Sequence, residues 1–308
     1  MLNLKEQLKK NDFIRSTYYK ANKKFVTFLV KNTPVLVSKY LYRRRTGKKL
    51  NLKNPQNFNE KLQWLKLYWQ HPLVAKCADK YEVREYVKSC DCEEVLNELY
   101  DVYENASQID WYSMPQKFVL KATHGCNFNI ICDNKDKLNK QETVNKLNQW
   151  LKIDYSLYSA ELHYAKIKPR IICEKYIETD AGFLPIDYKI YCFNGKVHCT
   201  LVCTSRSTGH ANFDFYDRSW EIKLPYSKSS LIGNREIARP KAYEKMIEVA
   251  EKISTPFPFV RVDFYNFNDT AVLGEMTFTP YGCMDQGYTD EGLKKLGELI
   301  KLPQKVKS

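Results

Sequence analysis

The chain has 308 residues, of which 44% are hydrophobic and 14% aromatic, so it is long enough to bury a large core as one composite domain or two. This composition excludes an intrinsically disordered protein. The net charge of +13 is concentrated in residues 1–50, which hold 14 Lys and Arg against Glu6 and Asp12, while the remainder carries 35 basic and 34 acidic side chains. A nearly neutral body argues against a nucleic-acid-binding protein.

The ten cysteines do not form a recognisable disulfide or zinc pattern. No C-x-x-C occurs, and the closest pairs are Cys90/Cys92 and Cys199/Cys203. Several of the cysteines lie inside apolar, strand-like runs, where a thiol acts as a small hydrophobic side chain. Since the sequence also shows no signal peptide and no apolar run of 18 residues, we expect a protein of the reducing cytoplasm.

Residues 1–53 form a basic, amphipathic N-terminal segment in which Lys and Arg alternate with apolar and aromatic residues. Its apolar stretch, Phe25–Val30, is too short to span a bilayer. One interpretation is peripheral contact with the anionic inner face of the membrane, to which each nearby basic residue contributes about 1 kcal/mol. The other is a helical hairpin that packs on the body with Arg43–Arg45 exposed.

Residues 54–115 are predicted to be a helical and mixed region. The pattern FNEKLQWLKLYW predicts a buried helix over Phe58–Trp69, and a second helix is predicted over Ala75–Lys88. Lys80 lies inside that second helix, where a lysine is compatible with either solvent exposure or ligand binding. Leu99–Tyr103 is predicted to be extended.

A strand, a glycine-containing loop and a second strand follow. The strand over Phe118–Gly125 ends in Thr-His-Gly, the flexible loop covers Gly125–Asn129, and Ile130–Cys132 continues the hairpin. This geometry can lay backbone N–H groups over phosphates, with Lys121 beneath as a point charge. No Walker A loop is present, and an ordinary turn fits one glycine equally well. Lys137–Leu151 is predicted to be helical.

The next strands carry alternating charged and apolar residues. Ile171–Ile177 (IICEKYI) is predicted to be a strand that reaches a cleft where it becomes charged. Asp187–Phe193 and Lys196–Thr204, joined by Asn194-Gly195, predict a hairpin, because Asn-Gly supplies the two positive φ angles of a tight turn. Asp187, Lys189 and Tyr191 share one face of its first strand. That face suits either a binding site or solvent.

Irregular structure is predicted between residues 206 and 220. The stretch Arg206–Trp220 is polar, and we interpret it as a loop over a substrate, with Arg206 and Arg218 as candidate acceptor contacts. Helices are predicted over Lys241–Ile253 and Asp290–Ile300.

The stretch FVRVDFYNFNDTAVLGEMTFTP, Phe259–Pro280, predicts a hairpin closed by the turn Asn266–Thr270. Because side chains two apart in a strand point the same way, Arg261 shares a face with Asp263, and Glu275 shares a face with Thr277. If the strands pair, these groups converge. Such a group of oxygens beside an arginine suits a divalent cation carrying phosphates. A cross-strand ion pair on a solvated sheet face is the alternative.

The order of these features resembles the ATP-grasp superfamily, and above all its teichuronopeptide-biosynthesis (TupA-like) branch, over about residues 54–303. The matching phrases are NPQNFNEKLQWLKLYW, FVLKATHG, IICEKYI, DYKIYCFNGK and FVRVDFYN…GEMTFTP. The resemblance implies an α+β protein with the ATP-grasp fold, in which two α+β lobes with antiparallel sheets grip ATP. The small lobe would span residues 116–180 and the large lobe 181–303.

The resemblance also implies ATP and Mg²⁺ as cofactors and assigns a role to individual residues. Arg261 and Lys189 would be catalytic, and Asp263, Glu275 and Thr277 would hold the metal, with Thr277 standing where the superfamily usually has Asn. The nucleotide-binding residues would be Lys80, Lys121, His124, Gly125, Cys126, Asn127, the hinge Glu174, Lys175, Tyr176 and Ile177, and Asp187.

The implied activity is that of an ATP- and Mg²⁺-dependent carboxylate–amine ligase acting through an acyl phosphate. It would attach an amino acid or other amine to a carboxylated sugar of a surface polysaccharide or its precursor, such as a capsule or teichuronopeptide, at the inner face of the membrane. Activating a carboxylate requires mainly positioning and charge neutralisation, and no protein nucleophile is evident. Cys126 is not interpreted as a nucleophile, and its presence in the glycine loop is considered incidental.

Three other functions remain open from the residues alone. A glycosyltransferase is disfavoured because no D-x-D occurs among the 16 aspartates. A sugar or peptide kinase would release ADP and a stable phosphorylated product. A membrane-associated scaffold without turnover is disfavoured by the complete set Lys121, Lys189, Arg261, Asp263 and Glu275.

Overall fold

The computed structural model of the protein describes residues 24–178, 185–205 and 211–304. Within these ranges residues 24–32 are helical, and the further α-helices are α1 (Pro34–Thr46), α2 (Phe58–Tyr68), α3 (Pro72–Ala78), α4 (Val83–Ser89), α5 (Lys140–Leu151), α6 (Ser156–Ser159), α7 (Tyr243–Ser254) and α8 (Asp290–Leu299). The strands are β1 (Leu99–Tyr103), β2 (Phe118–Ala122), β3 (Asn129–Cys132), β4 (Ile171–Lys175), β5 (Asp187–Phe193), β6 (Lys196–Thr204), β7 (Asn212–Asp217), β8 (Lys223–Leu224), β9 (Val260–Phe267) and β10 (Thr270–Thr277).

The strands form two antiparallel sheets. The smaller sheet has the order β1-β4-β2-β3, and the larger has the order β10-β9-β5-β6-β7-β8. Every strand pairing in the two sheets is antiparallel, and helices lie between and around them, so the α+β class expected from the sequence is confirmed.

The larger sheet is covered on both faces. Tyr188, Ile190 and Cys192 of β5 lie in one apolar cluster with α7, whereas Tyr191 and Phe193 lie in another with α2 and α8. Odd and even residues of the strand therefore enter different cores, as the period of two requires. Because both faces of the sheet are buried, the sequences of these strands are nearly continuous apolar runs.

Helix α2 anchors the second of these clusters. Its N-cap Asn57 accepts a hydrogen bond from the Glu60 backbone N–H, and the Glu60 side chain reaches back to the Asn57 N–H. Such caps contribute about 1 kcal/mol. Phe58 follows the cap, is fully buried, and packs its ring edge-on against Phe259 and Tyr288. The buried helix predicted here is confirmed, with its end at Tyr68.

The continuous helix predicted over Ala75–Lys88 is wrong. Helix α3 ends at Ala78, and Asp79 has extended backbone angles before α4 begins at Val83. The buried Asp79 carboxylate accepts hydrogen bonds from the N–H groups of Tyr81 and Glu82, at 2.8 and 3.4 Å. An aspartate that bonds the following backbone favours a helix start over a helix interior, which is why the chain breaks here.

The irregular structure predicted for residues 206–220 is also wrong in its second half. Strand β7 pairs with β6 along its length, and its sequence NFDFYD alternates aromatic and acidic side chains. The acid at the centre, Asp214, is buried but lies 2.6 Å from Lys223 and accepts the Gly233 N–H. A partnered carboxylate is tolerated inside the sheet. Arg206 lies outside the described residues.

Several element boundaries differ from the sequence prediction by a few residues. Helix α5 begins at Lys140 rather than Lys137, because Asn139 caps it by accepting the Glu142 N–H. Strand β4 ends at Lys175, before the predicted Ile177. The last hairpin has a two-residue turn, Asn268-Asp269, with φ angles of 50° and 58°. Both central residues at positive φ match the twist of the flanking strands.

The N-terminal segment packs on the body through part of α1. Tyr42 is buried in the cluster of α2 and α8, whereas Phe25, Phe28, Leu36 and Tyr40 are exposed. Residues 1–23 of the segment lie outside the described residues. Within the described part of the chain, no helix combines the length and the apolar character that crossing a bilayer requires.

All ten cysteines are free thiols in the structure, and eight of them are buried. Cys173, Cys192, Cys199 and Cys203 lie inside strands with at most 1% of their surface exposed. Their interpretation as small apolar side chains is confirmed.

Replacing Phe58 by Ala should lower the free energy of unfolding by about 3–5 kcal/mol, because the change leaves a cavity where an aromatic ring is fully enclosed. Phe25→Ala is the matched control, since Phe25 is 60% exposed and its loss should change stability by no more than about 0.5 kcal/mol. Urea unfolding followed by circular dichroism measures both. Equal losses in the two variants would contradict the packing described here.

Candidate functional site

The charged residues of the last hairpin meet in one buried cluster. Arg261 pairs in register with Thr277, and Asp263 pairs with Glu275. The Nε and Nη2 atoms of Arg261 each lie 2.7 Å from one carboxylate oxygen of Asp263, and Nη2 also donates to the Thr277 hydroxyl at 3.1 Å. The convergence predicted from strand spacing is confirmed. Since a bidentate pair fixes the plane of the guanidinium, Arg261 is held in one orientation.

Lys189 joins the cluster from the neighbouring strand β5. Its Nζ lies 2.6 Å from an oxygen of Asp187 and 2.6 Å from an oxygen of Asp263. Burial by itself would lower the pKa of Lys189, but the charges of Asp263 and Asp187 outweigh it and the net shift is upward. Lys189 is therefore a charged ammonium that shares the Asp263 carboxylate with Arg261.

Lys80 reaches the cluster from the break between α3 and α4. Its Nζ donates to the Gly125 carbonyl at 2.7 Å and lies 3.5 Å from a carboxylate oxygen of Glu275. Burial opposes the charge, but Glu275 raises the pKa of Lys80 above its ordinary value. One side chain thus connects the glycine loop beside the smaller sheet to the hairpin of the larger sheet.

Glu275 is the more accessible of the two central carboxylates. Its side chain is 30% exposed, against 4% for Asp263, and its Oε1 accepts the Thr277 hydroxyl at 3.2 Å. Burial would raise its pKa, but Lys80, Lys189 and Arg261 lower it to about 2. Glu275 is consequently ionised throughout the physiological pH range.

The donor set fits Mg²⁺ rather than a softer metal. The two carboxylates Asp263 and Glu275 and the Thr277 hydroxyl are hard oxygen donors, the type that Mg²⁺ prefers. No group of three or more His, Cys, Asp or Glu in the described ranges is arranged to hold a metal by itself. A cation bound here would complete its coordination with phosphate and water oxygens, as Mg²⁺ commonly does.

A second ion-pair group lies on the smaller sheet. Lys121 of β2 contacts Glu174 of β4 at 2.6 Å, and Arg84 of α4 lies 3.5 Å from the other oxygen of Glu174. The Arg84 guanidinium also donates to the Asn97 carbonyl at 2.8 Å. Sequence reasoning missed Arg84, because a single arginine in a helix carries no distinguishing signal. With two cations beside one carboxylate, this end of the sheet keeps a positive charge.

A cleft of about 110 Å³ adjoins Lys121. It is lined by residues of β2 and β3, by residues at and after the end of β4, and by Tyr265 of β9. Its lining residues are Asn97, Val119, Lys121, Asn129, Ile131, Lys175, Tyr176, Ile177, Pro185 and Tyr265. The cleft combines apolar walls with a few polar groups, a mixture that characterises small-molecule sites. Of the predicted hinge residues, Lys175, Tyr176 and Ile177 line it.

The glycine loop is packed against aromatic rings rather than free. A Cβ on Gly125 would lie 2.6 Å from the Tyr155 ring and 2.8 Å from the Phe128 ring, which is closer than real contacts allow. Phe128 in turn stacks on Trp150, with ring centroids 5.3 Å apart. Asn127 adopts a positive φ of 60°. Glycine is needed here for the close approach of rings, so the flexible loop predicted from sequence is instead an anchored one.

Two predicted residues of this loop have their side chains directed elsewhere. The buried His124 lies with its Nε2 3.1 Å from the Trp150 carbonyl, and burial lowers its pKa. The Cys126 sulfur contacts the Tyr164 hydroxyl at 3.4 Å, and burial raises the pKa of its thiol. Neither side chain forms a hydrogen bond or an ion pair with the charged cluster, but the charge of Lys80 acts on both. A protonated Cys126 is a poor nucleophile.

Arg218, a candidate acceptor contact, lies 3.5 Å from Glu251 of α7. Because α7 covers the face of the larger sheet opposite the charged cluster, Arg218 is not brought together with Arg261.

The family model for TupA-like ATPgrasp proteins matches residues 60–301. Among solved structures, D-alanine–D-alanine ligase from Bacillus anthracis complexed with ATP is 13% identical, with a TM-score of 0.42, over 80% of this chain and 66% of that one. D-alanine–D-alanine ligase from Helicobacter pylori is 12% identical with a TM-score of 0.43, over 82% and 69%.

An L-amino acid ligase from Bacillus licheniformis is 12% identical with a TM-score of 0.39, over 65% of this chain and 42% of that one. The chain thus spans less than two thirds of the Bacillus anthracis and Bacillus licheniformis proteins. No curated protein matches the chain.

The charge of Lys80 holds down the pKa of Glu275, so replacing Lys80 by Met should move that pKa from about 2 toward the ordinary value of about 4.3. A carboxylate with a lowered pKa stabilises the folded state at pH values above its ordinary pKa. This stabilisation is lost as the pH falls toward 2, and the variant should lose part of it. Carboxyl ¹³C NMR titration measures the pKa. The control is Lys48→Met, a change at an exposed lysine that pairs with Asp290, and it should leave the pKa of Glu275 unchanged. An unchanged pKa of Glu275 in Lys80→Met would contradict the electrostatic coupling between Lys80 and Glu275.

Proposed function

The chain belongs to the TupA-like ATPgrasp family, and on this basis we propose that it is an ATP- and Mg²⁺-dependent ligase that joins a carboxylate to an amine. The observation that carries the proposal is the buried cluster in which Lys80, Lys189 and Arg261 surround Asp263 and Glu275. With Asp187 paired to Lys189, three cations and three carboxylates lie at the meeting point of two sheets. Fixed charges of both signs suit the handling of a magnesium triphosphate.

The cleft beside Lys121 is proposed to take the adenine and ribose of ATP, with the phosphates directed toward Lys80 and the glycine loop. Lys121 and Lys80 lie on either side of that loop, which supports this direction. Asp263, Glu275 and Thr277 would hold Mg²⁺, and the ion would neutralise phosphate charge. ATP supplies the phosphoryl group that turns the substrate carboxylate into an acyl phosphate, which the amine then attacks.

The residues of this chain contribute preorganised positive charge. Arg261 and Lys189 are both fixed by the Asp263 carboxylate, at distances of 2.6–2.7 Å, so they need not reorganise when negative charge develops on the substrate. We assign Arg261 to the oxyanion of the reacting carbonyl and Lys189 to the transferring phosphate. Asp263 acts through both as a positioning residue. Preorganisation of this kind is commonly the largest contribution to catalysis.

We further propose that the carboxylate belongs to a sugar of a surface polysaccharide or its precursor, and that the enzyme works in the cytoplasm at the inner face of the membrane. The basic and aromatic N-terminal segment supports this placement. Phe25 and Phe28 are each 60% exposed and lie among lysines, with Lys24 and Lys31 nearby in sequence. Exposed aromatic rings beside basic residues are typical of peripheral contact with anionic lipid.

Mg²⁺-ATP should bind the protein, and Glu275→Gln should weaken this binding about 10- to 100-fold by removing a metal ligand. Isothermal titration calorimetry with ATP, and separately with a UDP-sugar, measures both. Asp263→Asn should also weaken binding, but it leaves Arg261 and Lys189 buried without their shared partner, which costs about 3–5 kcal/mol of stability. Glu275→Gln is therefore the primary variant.

The matched control is Glu291→Gln, which replaces an exposed glutamate at the start of α8 and should leave ATP affinity unchanged. Circular dichroism confirms that each variant is folded. Binding of a UDP-sugar in place of ATP would overturn the ligase proposal in favour of a glycosyltransferase, and ATP-dependent formation of a stable phosphorylated product would favour a kinase.

The 308-residue chain should sediment with vesicles that contain about 30% anionic lipid and not with neutral vesicles. Phe25→Ala/Phe28→Ala should weaken this binding at least tenfold, since burying each ring contributes about 1.5–3 kcal/mol. Tyr112→Ala is the control, because Tyr112 is 96% exposed on the body and should make no difference. Equal binding to anionic and neutral vesicles would contradict the proposed membrane contact.

A further inference from the structure

A small cavity lies at the end of helix α2, apart from the cleft beside Lys121, with which it shares no lining residue. Its volume is about 30 Å³, which is room for about two water molecules or one small ion. The walls come from the end of α2 and the residues after it, from α3, from the 3₁₀ turn Leu162–Lys166, and from residues that flank β9 and β10. The site described above uses none of these lining side chains.

The ionisable side chains that line this cavity are all basic. Within the described residues they are Lys66, His71, His163 and Lys166, and no acidic side chain of that part of the chain contributes to the wall. The rest of the lining is apolar or uncharged. A recess lined by charge of one sign concentrates ions of the opposite sign. The wall therefore favours an anion.

Lys66 is a buried cation that lacks a charged partner. Among the Lys and Arg side chains that the structure describes, the buried ones are Lys66 and Arg261, each 6% exposed. Arg261 is paired with the carboxylate of Asp263. The Nζ of Lys66 instead donates to the Ser159 carbonyl at 2.7 Å, and no carboxylate of a described residue lies within 4 Å of it. A buried charge is strongly destabilising unless a charged partner compensates it.

The acidic groups around Lys66 do not supply that partner. Glu161 lies more than 4 Å from the ammonium, and its Oε1 accepts the Thr279 hydroxyl at 2.5 Å instead. Burial raises the pKa of Glu161, and it raises the pKa of the Cys283 thiol to about 12, so Cys283 is uncharged at neutral pH. Burial lowers the pKa of Lys66 itself, and its neighbours offset this only in part.

His163 adds a second buried polar group to the wall. It is 6% exposed, and its Nε2 has no hydrogen-bond partner within residues 24–178, 185–205 and 211–304. Burial, together with the charges of Lys66 and Lys166, lowers the pKa of His163 to about 3, so its imidazole is neutral. Two buried polar side chains that are short of partners and line the same cavity favour a ligand there.

We propose that this cavity binds a small monovalent anion, of the size of chloride, as the counter-ion of Lys66. An ammonium has three N–H donors and the Ser159 carbonyl takes one, so donors remain for an anion. The volume suits a single ion and not a nucleotide. Water alone would fill the space but leave the charge of Lys66 uncompensated. The inference is independent of the proposed ligase function, because it concerns binding and requires no turnover.

A bound anion would join three parts of the chain. Lys66 belongs to α2, and His163 lies in the turn Leu162–Lys166. Thr279, which also lines the cavity, follows the proposed metal ligand Thr277 by two residues. A ligand that binds only the folded state increases its stability, so the anion should raise the melting temperature of the protein.

The test is the width of the ³⁵Cl resonance of chloride in the presence of the 308-residue chain. Chloride that exchanges with a protein site relaxes faster than free chloride, so an excess width that saturates reports binding. Bromide should remove the excess width, because it is a monovalent anion of similar size. Gluconate at the same concentration should not, because it is too large for a cavity of about 30 Å³.

Lys66→Met should weaken chloride binding about tenfold or more, since a hydrogen bond to a charged group contributes about that factor. The variant should fold, because an apolar side chain of similar length replaces an uncompensated buried charge. Lys61→Met is the matched control. Lys61 lies on the same helix and also donates to a backbone carbonyl, that of Ile300 at 2.9 Å, but it does not line the cavity.

The melting temperature gives a second readout. At equal ionic strength, replacing gluconate by chloride should raise it in the wild type and in Lys61→Met, and this increase should be absent from Lys66→Met. Equal excess width in the two lysine variants overturns the inference, as does displacement by gluconate that matches displacement by bromide, because both results place the chloride at exposed surface charges. If Lys66→Met does not fold, the displacement series on the wild type decides.

Discussion

The buried carboxylate of Asp263, shared by Arg261 and Lys189, is the interaction on which the site depends. A buried charge is tolerated only when its partners are fixed in place, and both partners here lie at 2.6–2.7 Å. The three residues belong to β5 and β9, which pair in register. The charge pairing therefore requires this register of the larger sheet, because a slip by one residue would turn the charged side chains to the opposite, apolar face.

The same arrangement links the two sheets. Lys80 bonds the glycine loop of the smaller sheet and lies beside Glu275 of the larger one, so the cluster is complete only when both sheets are assembled. The loop itself is fixed by Tyr155 and Phe128. For the proposed function, rigidity at this junction means that the charges around a phosphate would be set before it binds. Glu275, the more exposed of the two carboxylates, is the more accessible of the oxygens proposed to hold Mg²⁺.

The N-terminal basic segment has two distinct faces. Its exposed rings include Phe25 and Phe28, while Tyr42 is buried against the body. The sequence treats residues 1–53 as an appendage because their charge differs from that of the body. In the structure, the end of α1 packs beside the larger sheet. A change in charge composition along the chain therefore does not by itself mark a structural boundary.

The sequence by itself determined the faces of the strands, since alternation is a local property with a period of two. It thereby placed Arg261 with Asp263, and Asp187 with Lys189, and the Asn-Gly turn set the hairpin of β5 and β6. Tertiary structure decided the rest. Lys80 approaches Glu275 only because α3 and α4 separate at Asp79, and Arg84 joins Glu174 across a long stretch of chain. Such proximity depends on how sheets and helices pack, which no local pattern encodes.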